Sequence, residues 1–266
     1  MLLKSVIITL REVLEAALLL SILLAVTRSL DLRARWFGAS LAAGVAGSIL
    51  YGSQLGAVSN AFEGMGQELL NATLQVAIYL LLSVIAALLI ANRQGTANHV
   101  PLLQASMLLA VTLAVVREGA EIIIFLSAFR YQPDLLPGVL AGALLGAGIG
   151  FSIGALLYYL LRALPQRYMV SAACVLLILV AGGMSLQATQ LLIQADWLPA
   201  LPTMWDSSAL LSEESLVGQL LYALVGYEAT PTQLEVVIYF SSVFAMALVL
   251  GFSRYVYRNN NSIEHR

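Results

Sequence analysis

Charge is scarce in this chain. Of its 266 residues only 11% are Asp, Glu, Lys or Arg, against about 25% in soluble domains. Hydrophobic residues make up 60%, and the mean hydropathy is +0.89. That composition excludes a soluble globular domain and belongs to a polytopic membrane protein. Cysteine occurs once, as Cys174 in an apolar run, so neither a disulfide framework nor a cysteine metal cage is available. The two histidines, His99 and His265, fall in polar segments. Haem ligation by paired membrane histidines is thereby excluded, and the pattern argues against a zinc site. A net charge of −2 gives no sign of a nucleic-acid partner. There is no H-E-x-x-H motif, no Ser/His pair within the apolar stretches and no redox cysteine pair, which leaves an intramembrane enzyme, the remotest alternative, without visible machinery.

The few charges that interrupt the apolar stretches fall in one repeated pattern. Arg11-Glu12-Val13-Leu14-Glu15 lies in the first stretch, and Arg117-Glu118-Gly119-Ala120-Glu121 in a later one. Each charged side chain near a bilayer centre costs about 2.5–3.5 kcal/mol on insertion scales. On a helix, residues three and four apart share a face. Glu12 and Glu15 therefore project together with Arg11 in reach of Glu15, and Glu118, Glu121 and Arg117 repeat the arrangement. An ion pair that only pins helices together is the competing reading. Repetition at the same spacing, with an acid in excess each time, favours paired carboxylates acting as hard oxygen ligands for a hard cation.

Seven stretches reach the roughly 20 residues needed to span a bilayer, near 3–26, 36–59, 68–91, 101–128, 137–161, 169–194 and 233–254. The first resembles a signal peptide, but Arg11, Glu12 and Glu15 break its core, and it reads as a retained helix. Between the last two stretches lies a longer loop with Pro199, Pro202, Trp205, Asp206 and an acidic run at Glu213 and Glu214. Within it, Leu216 to Val225 is too short to span and reads as an amphipathic or surface helix. Arg28, Arg33, Arg35, Arg93, Arg162, Arg167, Arg254, Arg258 and Arg266 all fall on one side of such a topology, with only Lys4 and Arg130 opposite. The basic side is cytoplasmic, so the N-terminus is expected outside and the C-terminus inside. The outer side instead collects acids, among them Glu63, Glu68, Asp134, Asp196, Asp206, Glu213, Glu214, Glu228 and Glu235. Such a face would concentrate cations at the mouth of a pathway, or would simply solvate the surface.

The repeat extends beyond the motifs. Small residues recur every fourth position in the stretch after each one, as Gly44, Ser48, Gly52, Gly56 and as Gly142, Gly146, Gly150, Gly154. Such tracks let helix backbones approach closely in lipid. Two three-helix units must be inverted relative to each other, an architecture in which substrate binds near the midplane at the repeat interface. The expected fold is an all-α integral membrane protein of seven transmembrane helices, with two inverted three-helix repeats plus a seventh helix. It forms one polytopic domain over 1–266: repeat one about 1–91, repeat two about 101–194, an external loop about 195–232, a final helix about 233–254 and a cytoplasmic tail 255–266. Glu68, Asn71 and Gln75 share one helix face, as do Gln187, Gln190 and Gln194. Together with Asp206, Glu213 and Glu214 they are candidates for an access path. The alternative for the amides is interhelical hydrogen bonding, which is the reading taken for Gln187.

With these residues in view, the sequence resembles the oxidase-dependent iron permeases, the fungal high-affinity plasma-membrane iron permeases and the bacterial EfeU-type iron permeases. The resemblance rests on the two motifs, which match that family's paired R-E-x-x-E. It also rests on the last loop, from Trp205-Asp206-Ser207-Ser208 through Leu210-Leu211-Ser212 to Gly226-Tyr227. The family motif often has Gly after the first Glu; Gly119 fits and Val13 departs. A bare backbone at Gly119 makes the second motif the one expected to be more sensitive. The resemblance implies iron uptake into the cell through the cytoplasmic (inner) membrane, with ferrous iron oxidised by a partner and received as ferric ion. It implies Glu12, Glu15, Glu118 and Glu121 as metal ligands; on electrostatic grounds Arg11 and Arg117 are expected to hold these carboxylates apart and oriented while the site is empty. It further implies iron as transported substrate rather than a permanently bound cofactor, and external cupredoxin-like or haem-peroxidase-like partners beside the membrane lipid. The residues themselves reach only hard-cation transport, and a proton-coupled transporter of another hard divalent metal would use the same glutamates.

Overall fold

The computed structural model describes residues 1–93 and 99–264, without side chains at 92–93, 167 and 256–264. The side chains of Arg93, Arg167 and Arg258, and all of His265 and Arg266, therefore lie outside the described residues. The chain folds as α1 (Leu2–Ser29), α2 (Arg35–Ser53), α3 (Leu55–Ser59), a 3₁₀ turn at Phe62–Gly64, α4 (Gly66–Arg93), α5 (Val100–Ser127), α6 (Leu136–Ala163), α7 (Gln166–Gln194), α8 (Leu216–Val225) and α9 (Gln233–Glu264). Among the described residues there is no strand, only an isolated bridge between Thr203 and Thr232. Helices satisfy every backbone group internally, which is what apolar surroundings demand.

Each of the seven expected stretches is a helix, with two differences at their ends. The stretch expected at 36–59 breaks at Gln54 after Gly52 and Ser53, both poor helix formers, and resumes as the single turn of α3. The tail expected from 255 instead continues α9 as far as Glu264, because no Gly or Pro follows Gly251 to stop it. Among the described residues, four helical segments are long and apolar enough to cross a membrane, Gly66–Ala91, Leu136–Ala163, Tyr168–Gln194 and Gln233–Tyr255. The other long helices are the two that carry the motifs, α1 and α5, and α2 with 19 residues. Phe240, Phe244, Leu248 and Phe252 of α9 are exposed, as suits a peripheral helix turned to lipid.

Two parallel helix pairs organise the bundle. The glycine track of α6 runs along α1: Gly142 abuts Leu2 and Ser5, Gly146 abuts Val6, Gly150 abuts Val13 and Gly154 abuts Ala17. A Cβ at Gly142 would lie 2.8 Å from that of Ser5, closer than side chains tolerate. Ser5 and Ser21 Oγ donate across the same seam to the carbonyls of Val139 and Gly154. In the second pair the track of α2 runs along α5, with Gly44 on Val115, Gly47 on Val116, Ser48 on Gly119 and Gly52 on Ile123. Gly56 faces open space. Residue numbers rise together in both seams, so both pairs are parallel. α4 packs on α5 and α7, and α9 on α7 and α4.

The apolar core fills one end of the bundle. Leu23 and Val26 of α1, Ile78, Leu82, Ile85 and Leu89 of α4, Leu103 and Met107 of α5, and Leu177 of α7 are all fully buried there. This is the end where α1 finishes and α5 begins. Both motifs lie beyond it, toward the start of α1 and the finish of α5.

Candidate functional site

Glu12, Glu15, Arg117 and Glu118 are buried where α1 crosses α5. The centre is the Arg117 guanidinium. Its Nη1 donates to both oxygens of Glu118 at 2.6 and 2.7 Å and to Glu15 Oε2 at 3.2 Å. Its Nη2 lies 3.1 Å from Glu121 Oε1. One planar fork thus joins an acid of the first motif to both acids of the second, a geometry that suits guanidinium and not ammonium. The Glu12 carboxyl comes within hydrogen-bonding reach of Glu118. All four acids are therefore in one cluster, and Glu121, with its side chain 29% exposed, is the member nearest solvent.

Arg11 occupies the matching position in the first motif and is held differently. Its Nε stands 3.5 Å from Glu15 Oε1, and its side chain is 37% exposed against 6% for Arg117. The guanidinium carbon lies 3.8 Å from the centre of the Tyr222 ring on α8. α8 starts at Ser215, whose Oγ accepts from Gly218 N at 3.0 Å, and stops at Gly226 in the left-handed region. It packs on α1 and α7, with Ala223 against Leu14 and Leu18. Gly226 is pressed so closely on Gly183 of α7 that its Cβ would lie 2.7 Å from the Gly183 Cα.

Amides surround the cluster. Gln187 Nε2 donates to Glu15 Oε2 at 2.9 Å, and Gln187 and Gln75 meet in a hydrogen bond. The Gln75 amide also lies 3.1 Å from Arg117 Nε. Asn71 Nδ2 donates to Glu121 Oε1 at 3.4 Å, and Asn71 Oδ1 accepts from the Tyr51 hydroxyl at 3.2 Å. Asn71, Gln75 and Gln187 are buried. Two carboxylate oxygens at the centre, Glu12 Oε2 and Glu15 Oε1, are buried without a hydrogen-bond partner among the described residues, as is Glu68 Oε2 on α4. Among the described residues no three acidic, histidine or cysteine side chains converge as an ion cage; a guanidinium stands between the carboxylates.

The remaining access-path candidates lie in and beneath the loop. The Gln190 amide donates to Glu228, whose carboxyl is pushed up to about 7 by burial and by Glu235 and Glu213 beside it. Glu213 Oε1 accepts from Ala229 N at 2.5 Å. Asp206 is exposed, and its Oδ1 accepts from Ser208 N and Oγ at 2.9 and 2.6 Å, which lowers its pKa. Gln194 and Glu214 are exposed. The structure thus brings Asn71 and Gln75 into the cluster and leaves Gln194, Asp206 and Glu214 apart from it. Gly119 faces Ser48 of α2 rather than the carboxylates, which removes the bare backbone beside the ion as a reason for a more sensitive second motif. Sequence reasoning missed Tyr222 and Tyr51. The available signal was Gln219 and Tyr222, polar side chains on the one face of α8 that is buried.

Apolar helices of membrane-spanning length, with ionisable groups gathered in their midst, define a membrane transport protein. The chain matches the Iron permease FTR1 family over residues 2–262. It belongs to that family, whose members are transporters rather than enzymes, and it carries iron across a membrane. No curated protein and no solved structure matches it significantly.

Proposed function

We propose that the protein takes up ferric iron through the two R-E-x-x-E motifs, after an external partner has oxidised ferrous iron. The observation that carries this reading is the Arg117 fork, which joins Glu15 to Glu118 and Glu121 across the two motif helices. In such a cluster the two guanidinium groups offset only half of the carboxylate charge while it is empty. An arriving cation repels the guanidinium groups and attracts the carboxylates, so it takes the place Arg117 holds between them. Four carboxylates are a hard oxygen donor set suited to a hard ion, and iron is the ion named by the family. Seven crossings built as two inverted repeats agree with the exchanged parallel pairs, in which each motif helix lies against a glycine track from the other half. The excess of arginines at one end supports an external N-terminus and a cytoplasmic C-terminus in the inner membrane.

The test is iron uptake by membrane vesicles carrying wild type, Glu15→Gln or Glu121→Gln. Gln preserves volume and removes charge. Uptake should collapse in both variants while the protein still inserts and accumulates. Normal uptake in both would make the acids mere struts between helices. Competition by excess manganese or magnesium that abolishes wild-type iron uptake would shift the substrate to another hard metal.

A further inference from the structure

The two motifs are equal in sequence and unequal in structure. Every Arg117 donor that reaches a carboxylate is engaged at 3.2 Å or less. Arg11 instead lies flat on an aromatic face and meets Glu15 only at 3.5 Å. Among the described residues, the two buried carboxylate oxygens of the cluster that accept no hydrogen bond, Glu12 Oε2 and Glu15 Oε1, both belong to the first motif, and Glu15 Oε1 is the oxygen that Arg11 Nε meets at 3.5 Å. A buried carboxylate oxygen without a donor is costly, and a fork as close as Arg11 could supply one. Tyr222 competes for that fork: the Arg11 guanidinium lies 3.8 Å from the ring centroid, and a guanidinium within about 6 Å of a tyrosine ring's centroid is attracted to its negative face.

We propose that Tyr222 is a positioning residue which holds Arg11 at the 3.5 Å ion-pair distance and keeps its fork from closing on Glu12 and Glu15, so that these are the carboxylates that receive the ion. The second motif, closed on Arg117, completes the donor set only after the ion has arrived. Tyr222 is anchored for the task, because Ala223 beside it packs on Leu14 and Leu18, within a turn of the motif. α8 thereby couples the loop to the motif helix at one aromatic ring. The proposal rests on the reading of the motifs as the iron path.

The experiment measures iron uptake against concentration in vesicles carrying wild type, Tyr222→Phe, Tyr222→Leu, Arg11→Gln, and Tyr222→Leu combined with Arg11→Gln. Phe keeps the aromatic face, and its KM should stay within about twofold of wild type. Leu removes it, Arg11 falls onto Glu15, and KM should rise roughly three- to tenfold with the maximal rate little changed. In the Arg11→Gln background the same Tyr222→Leu change should alter KM by less than about twofold, because residues acting through one contact are not additive. An equal rise in both backgrounds would mean that Tyr222 only docks α8, and no rise in either would also overturn the proposal. Should Tyr222→Leu not accumulate, Tyr222→Met, which also lacks an aromatic face, takes its place. Wild-type vesicles that take up no iron would instead defeat the functional reading on which the proposal stands.

Discussion

Arg117 makes contacts that no lysine can reproduce. Its two terminal nitrogens serve Glu118, Glu15 and Glu121 at once, whereas an ammonium on a flexible stem offers one nitrogen. Arg117→Lys keeps the charge of the site and should still lower iron uptake by about tenfold or more. Losing even one hydrogen bond between charged groups is worth about 1.5–3 kcal/mol. Near-normal uptake in vesicles, at equal protein abundance, would show that only the point charge matters. The four glutamates and two arginines were legible in the sequence because charge inside an apolar run stands out against its cost. The amides were legible as a shared helix face, but not as partners of the acids, since Gln187 and Glu15 are 172 positions apart. Tyr222 could not be read as a partner of Arg11, because nothing along the chain reports which ring an arginine will meet.

Between elements, the small-residue tracks decide how near the motif helices come to their neighbours. At Gly119 the motif itself supplies the glycine and α2 supplies Ser48. At Val13 the motif supplies the bulk and the glycine stands opposite, as Gly150 of α6, whose Cβ would lie 3.0 Å from Val13 Cγ1. The departure from Gly at position 13 is thus answered on the facing helix. Gly150→Val should overpack this seam and cost about 1–3 kcal/mol. Thermal unfolding in detergent should show the loss, and adding Val13→Ala should recover part of it. Unchanged stability in Gly150→Val would mean that the seam has room to part. The tracks themselves were visible as a four-residue period. Their exchange between the two halves was not, because periodicity marks a face without naming what covers it.

For the whole molecule, the direction of the chain through the membrane follows from which end of the bundle is basic. Reporter fusions should read cytoplasmic after residue 95 and external near residue 210. An external signal at 95 would overturn both the seven crossings and the inversion of the repeats. The helices were legible at this scale from apolar length alone. The break at Gln54 and the continuation of α9 to Glu264 were not, since both turn on where a helix meets or lacks an interruption, which hydropathy does not register. The dry end of the bundle was equally hidden, because many side chains of other stretches with the same hydropathy face outward instead.

That dry end has an electrical consequence. Leu23, Val26, Ile78, Leu82, Ile85, Leu89, Leu103 and Met107 form a layer with no exposed side chain and no charge, and a voltage falls mainly across the least polarisable material in its way. The motifs lie to one side of this layer, among amides, carboxylates and a loop. A membrane potential is worth about 2.3 kcal/mol per elementary charge per 100 mV, or roughly 7 kcal/mol for a trivalent ion. On the proposed path, an ion resting on the carboxylates would still have to cross most of that drop. On that path, voltage would govern the ion's departure through the layer far more than its arrival at the site.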